Sequence, residues 1–142
     1  MEPTYKQLGK EHLLYDPEMI VSKLVETTFF DPEFWRKRHA LVGQALGRGT
    51  TFFVKDEDRV YALRHYRRGG WLANWVKDRY FWSGCSRTRP WREWHLLKVM
   101  FDAGLPVPRP VAARIIRHFW SYSADLMTLL LPDCRSLADM LV

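Results

Sequence analysis

A chain of 142 residues is the size of one compact domain or one lobe of a larger one. Its 47% apolar and 15% aromatic content supplies a core and excludes a disordered or low-complexity polymer. A formal net charge of +6 favours anionic partners, whether nucleotide, nucleic acid or anionic membrane face, without choosing among them.

In chain order, MEPTYKQLGKEHLL has no apolar h-region and no run of some 18 apolar residues occurs, so neither secretion nor a spanning helix is expected. Residues 1–30 read as an N-terminal extension that pairs as an edge hairpin or trails over the surface. At Asp31-Pro32-Glu33 the signal sharpens. Asp31 is a helix cap, Pro32 suits the first turn and Glu33 complements the N-terminal dipole, which predicts a short helix from Pro32 to Arg38. Ala40 to Leu46 and the β-branched, aromatic run Thr50 to Lys55 predict a hairpin with Gly47-Arg48-Gly49 at its tip. Asp56-Glu57-Asp58 is a second turn, leading into a third strand from Val60 to Tyr66.

After Gly69-Gly70, the spacing of Trp71, Leu72, Trp75 and Val76 predicts a basic, aromatic helical face within Trp71 to Trp82. Thr88 and Pro90 then open a helix over Arg89 to Ala103, and Gly104 closes it. Pro106, Pro108 and Pro110 enforce an extended exit. Two more strands follow, Val111 to Trp120 and Ala124 to Leu131, interrupted by Ser121-Tyr122-Ser123. Residues 132–142 read as a connector and the start of another helix. The predicted fold is α+β: a five-stranded antiparallel sheet over residues 40–131 with a helix packed across it, the outline of a protein-kinase-like N-lobe.

The chemical reading rests on Arg64 and Glu93. Leu96, Leu97 and Met100 follow Glu93 at three, four and seven positions, which places the carboxylate centrally on an apolar stripe where an unpaired charge is costly. Alternation places Arg64 with Val60 and Ala62 on a covered strand face. The two are natural partners, and spacing alone favours a structural salt bridge over a phosphate-handling pair. Gly47, Gly49 and Thr50 sit where backbone N–H groups can cover phosphates, although a lone GxG is more often a plain turn. The histidines form no HExxH, and neither GxSxG nor GxxxxGK[ST] occurs, so no metal site, hydrolase elbow or P-loop is proposed. Cys85 and Cys134 form no CxxC pair, which suits a reducing compartment better than a disulfide framework.

The succession GRGTTFFV, ALRHYRRGG, VKDRYFWSG, TRPWREWHLL, AGLPVPRPVAARI and YSADLMT resembles the 3-deoxy-D-manno-octulosonic acid (Kdo) kinases of the lipopolysaccharide kinase superfamily, over about Phe30 to Thr128. The resemblance implies ATP-dependent phosphorylation of a Kdo hydroxyl on the lipid A inner core, at the cytoplasmic face of the bacterial inner membrane. It implies a peripheral protein whose partners are the Kdo-lipid A acceptor and an anionic membrane surface, with no nucleic acid. It makes Gly47 to Thr50 the phosphate-covering loop, Arg64 the phosphate contact in place of the usual Lys, Glu93 its helix partner, and Leu130 and Leu131 part of the hinge beside adenine. Such kinases carry a catalytic Asp in an HxDLNxxN loop and a later acidic residue for Mg²⁺. Neither motif occurs here, so this polypeptide alone is expected to lack phosphoryl transfer. The alternatives are a non-catalytic nucleotide- or lipid-binding remnant, and a nucleic-acid binder that stacks bases on Trp71, Trp75 and Tyr80.

Overall fold

Alternation in the strand Glu11–Tyr15 sends Leu13 and Tyr15 to one side and Leu14 to the other, and all three are buried. A sheet built from such strands must be covered on both faces. The computed structural model describes residues 2–20, 27–46, 50–66, 80–81, 84–119 and 121–130. Within them run β1 (Thr4–Leu8), β2 (Glu11–Tyr15), α1 (Pro32–Lys37), β3 (Leu41–Leu46), β4 (Thr50–Asp56), β5 (Arg59–His65), β6 (Tyr80–Phe81), α2 (Arg89–Asp102), β7 (Pro110–Arg117) and β8 (Ser121–Leu129). One antiparallel sheet has the order β1-β2-β7-β8-β5-β4-β3, with β6 added beside the start of β8.

The sheet therefore has eight strands among the described residues and not the predicted five. Two sequence readings account for the difference, and a third shifts a boundary. The N-terminal extension is a true hairpin whose second strand joins β7, so residues 4–15 enlarge the sheet. Tyr80 and Phe81, expected at the end of a helix, form a strand against Tyr122 and Ser121; residues 71–79 of that prediction lie outside the described residues. Ser121-Tyr122-Ser123, expected as a break, are buried and open β8, because ladder partners on two sides outweigh their weak strand preference. The break falls instead at His118–Phe119.

Short elements before β3 cover one face. The Asp31 carboxylate accepts the Glu33 N–H at 3.0 Å, starting α1 where the sequence predicts it. Trp35 is then driven into the sheet, where its indole N–H donates to the Phe29 carbonyl at 2.8 Å. Phe29, Phe30 and Trp35 pack with Leu13, Tyr15, Val54, Tyr61, Leu63 and Met127. Helix α2 covers the other face by lowering Trp94 among Leu14, Tyr66, Ile115, Tyr122 and Leu126, and Ala113 and Ala124 give it room. Thr88 occupies the N-cap position, but its hydroxyl donates to the Cys85 carbonyl at 2.7 Å instead of capping. Gly104 leaves the helix at φ +79, as its position requires.

Two ties hold the N-terminal hairpin. The fully buried Asp16 carboxylate receives Arg109 Nε at 2.8 Å and Nη2 at 2.6 Å, fastening the end of β2 to the start of β7. The hydroxyl of Tyr5 meets His12 Nδ1 at 2.7 Å.

Replacing Arg109 with Met strands a buried carboxylate and should lower the unfolding free energy in urea by about 3–5 kcal/mol, much of it recovered in the Asp16→Asn/Arg109→Met double variant. Burial first, and Arg117 second, hold His12 below its ordinary 6.5. Below that pH the unfolded chain binds more protons than the folded one, so stability falls as pH drops. The slope of the unfolding midpoint between neutral and acid pH should flatten in His12→Gln.

Candidate functional site

On the α2 side of the sheet, Arg64 near the end of β5 meets Glu93 from the first half of the helix. Arg64 Nη2 bonds Glu93 Oε1, and the Tyr66 hydroxyl donates to Glu93 Oε2. Arg64 Nη2 also donates to Tyr66 Oη at 2.9 Å, which closes a triangle. The Arg64 guanidinium stands 5.0 Å from the centre of the Tyr66 ring, and the Arg89 guanidinium approaches the same ring at 6.0 Å. Beside the triangle lies a cleft of about 160 Å³, bounded by Thr51, Ala62, Leu97, Pro108, Leu126 and Thr128 together with Arg64 and Glu93.

The predicted partnership of Arg64 and Glu93 is present, but its setting differs. Their side chains are 44% and 36% exposed. Glu93 rides the edge of α2, while Pro90 and Trp94 form its buried line and Leu96 is 59% exposed. The helix is rotated from the predicted stripe because Trp94, the bulkiest apolar side chain near its middle, claims the sheet face. A half-exposed ion pair contributes only about 0–1 kcal/mol to stability. Its worth lies in holding a cation in one place.

Burial draws the Arg64 guanidinium down, but Tyr66 and Glu93 outweigh it and leave the pKa raised, so the group stays charged. Burial and the hydrogen bond to Glu93 push the Tyr66 phenol far above its ordinary 10.0, against the opposing charge of Arg64. The phenol therefore keeps its proton and serves as a fixed donor. Tyr66 and Thr51 were missed from sequence, and a signal existed for each. Tyr66 shares the period-two face of Ala62 and Arg64. A turn pairing Asp56 with Arg59 sets Thr51 opposite Arg64.

The other predicted residues fall elsewhere. Thr50 faces the opposite side of the sheet, bordering a cavity of about 590 Å³ with His65, Arg114 and Asp125. Thr51 takes the cleft side instead, one residue along, because successive strand residues alternate. Gly47, Gly49 and Leu131 lie outside the described residues, as do Trp71 and Trp75. Leu130 closes the sheet end with its N–H on the Val60 carbonyl at 2.8 Å.

A strand-borne cation held by a helix carboxylate, over a cleft with an alanine wall, defines the class: a kinase-like α+β domain. The chain belongs to the lipopolysaccharide kinase (Kdo/WaaP) family, whose model matches residues 32–142. It is 42% identical over 136 residues to a 3-deoxy-D-manno-octulosonic acid kinase of Vibrio vulnificus strain CMCP6, covering 96% of this chain and 57% of the relative. A protein of the same name from Haemophilus influenzae strain PittEE is 44% identical over 120 residues, covering 81% and 50%. One from Vibrio cholerae is 45% identical over 111 residues, covering 78% and 47%. The chain thus spans about half the length of the curated relatives it matches. No solved structure matches it.

Removing the cation and removing the helix anchor should differ in size. Arg64→Met is expected to change the unfolding free energy by no more than about 1 kcal/mol, whereas Trp94→Ala should cost about 3–5 kcal/mol. Urea titrations followed by circular dichroism measure both.

Proposed function

We propose that this chain supplies the nucleotide-positioning part of an ATP-dependent kinase that phosphorylates a Kdo hydroxyl on the lipid A inner core. The Arg64–Glu93–Tyr66 triangle beside the cleft carries this reading. Glu93 and Tyr66 fix the guanidinium, whose remaining N–H groups can take phosphate oxygens as a fork, where a lysine would offer a point charge. Such a cation neutralises charge that develops on the transferred phosphoryl group and its leaving group. Ala62 and Leu126 give the cleft apolar walls against which the flat face of a base can lie, and Thr51 and Thr128 add hydroxyls at its margin. The acceptor is inferred from the names of the relatives and from the ordered motifs, and the lipid A setting from those motifs.

A kinase of this kind requires Mg²⁺. Among the described residues no three His, Cys, Asp or Glu side chains converge to hold a metal, and the Glu93 carboxylate is engaged by Arg64 and Tyr66. These residues do not fit a metal, and the proposed role of this chain is to bind and orient the nucleotide. The sequence likewise contains no HxDLNxxN segment to supply a base. We place the protein at the cytoplasmic face of the inner membrane as a peripheral component; among the described residues no helix is long and apolar enough to cross a membrane.

Titration of the 142-residue chain with ATP should show saturable binding. Loss of charge-assisted hydrogen bonds in Arg64→Met should weaken it by roughly 10- to 100-fold, and Arg64→Lys should retain part of the affinity. A chain that ignores ATP, or an Arg64→Met variant that binds like the parent, sinks the reading.

A further inference from the structure

One end of the sheet is built unlike the rest of the surface. The β7–β8 turn carries Phe119 with 87% of its surface in solvent, the most exposed of the large apolar side chains among the described residues. The turn is held from within: His118 N–H donates to the Ser121 carbonyl at 2.8 Å, and its ring Nε2 lies 3.3 Å from Ser123 Oγ. Alongside runs the β1–β2 turn, joined by the Arg117 N–H donating to the Lys10 carbonyl at 2.9 Å. That neighbour adds Leu8 and Lys10, both exposed, next to exposed Arg117. The short 3-10 turn Cys85–Arg87, which ends in exposed Arg87, is tied to the start of β8 two residues on, where the Arg89 N–H donates to the Tyr122 hydroxyl at 3.1 Å. Glu11, the acidic residue that opens β2 beside Lys10, is half-buried and has Oε2 buried.

We propose that this end of the sheet, with Phe119 as an aromatic wedge and Lys10, Arg87 and Arg117 around it, docks on an anionic lipid bilayer. An aromatic ring gains most at the headgroup boundary, and each Lys or Arg near an anionic leaflet adds attraction. Phe119 on its turn and Leu8 at the end of β1 offer too little apolar area for a stable protein partner. A nucleic-acid groove would need bases stacked in a channel, whereas this ring stands on a tip.

The geometry fits a docked orientation. Leu129, the last residue of β8, lies at the opposite end of a nine-residue strand from Ser121 beside the tip, about 26 Å away at ~3.3 Å per residue. Arg64 pairs with Leu126, so the cleft stands roughly 15–20 Å above the tip, within reach of a sugar borne on a lipid headgroup. This last step rests on the kinase reading; docking itself does not.

Co-sedimentation of the 142-residue chain with lipid vesicles tests it, with nucleotide binding measured in parallel. Binding is expected to phosphatidylglycerol–phosphatidylcholine vesicles and not to pure phosphatidylcholine. Phe119→Ser and the double variant Lys10→Glu/Arg117→Glu should each lower the partition coefficient about fivefold or more, with ATP affinity unchanged. The exposed β3 substitution Val42→Ser should bind vesicles like the parent. Equal binding to neutral vesicles, or parent-like binding by the Phe119 and charge-reversal variants, overturns the proposal. So does loss of oligonucleotide binding in those variants while vesicle binding stays constant. Failure of ATP binding alone, with the vesicle pattern intact, removes the kinase reading and leaves the docking surface standing.

Discussion

Asp125, 3% exposed in the middle of the sheet, sets the register on which everything else depends. Its Oδ2 receives Arg114 Nε at 3.0 Å and Nη2 at 2.7 Å from β7, and its Oδ1 meets His65 Nδ1 at 2.8 Å from β5. A buried carboxylate without such partners is strongly unfavourable, so three neighbouring strands are obliged to present these side chains to one point. A slip of one residue would turn His65 away and, with it, reverse the adjacent Arg64. The cation that faces the cleft is therefore aimed by a polar cluster on the other side of the sheet.

The two faces divide their labour. Beneath Phe30 and Trp35 the charges are enclosed and serve to fix strands, and the Arg114 guanidinium even lies 5.1 Å from the centre of the Phe30 ring. Beside α2 the charges are half in water and add little to stability. Arg64 and Glu93 keep their places because Tyr66 bonds to both and because Trp94 anchors the helix one position away. Stability thus comes from apolar burial and from the enclosed charges, while the half-exposed cation beside α2 adds little to it.

Much of this was legible in the sequence, and the failures have physical causes. Asp31 with Pro32, the glycine after α2 and the partnership of Arg64 with Glu93 followed from local rules of capping, turn and spacing. Which face of α2 is buried did not, because Glu93, Leu96, Leu97 and Met100 share one arc and Trp94 another, and only the sheet decides between them. The strand at Ser121 and the extra strands β2 and β6 depend on partners far along the chain, which outweigh local preference, and β1 follows β2 as its hairpin mate. Thr51 in place of Thr50 is a matter of a single residue in a period of two. The buried charges Asp16, Arg109, Arg114 and Asp125 gave no local sign at all, since nothing near them in sequence shows that they meet.

The bond from Arg109 to Asp16 joins residues 93 positions apart. The hairpin that opens the chain can pair only with β7, so on a ribosome it must wait, its Leu13 and Leu14 uncovered, until nearly the whole described sheet has been synthesised. Closing so long a loop costs entropy and slows folding, and a strand edge left open in the meantime invites pairing with other chains. The earliest of the described elements is thus among the last to be secured, and the time that hairpin spends without β7 is time in which it can meet the wrong partner.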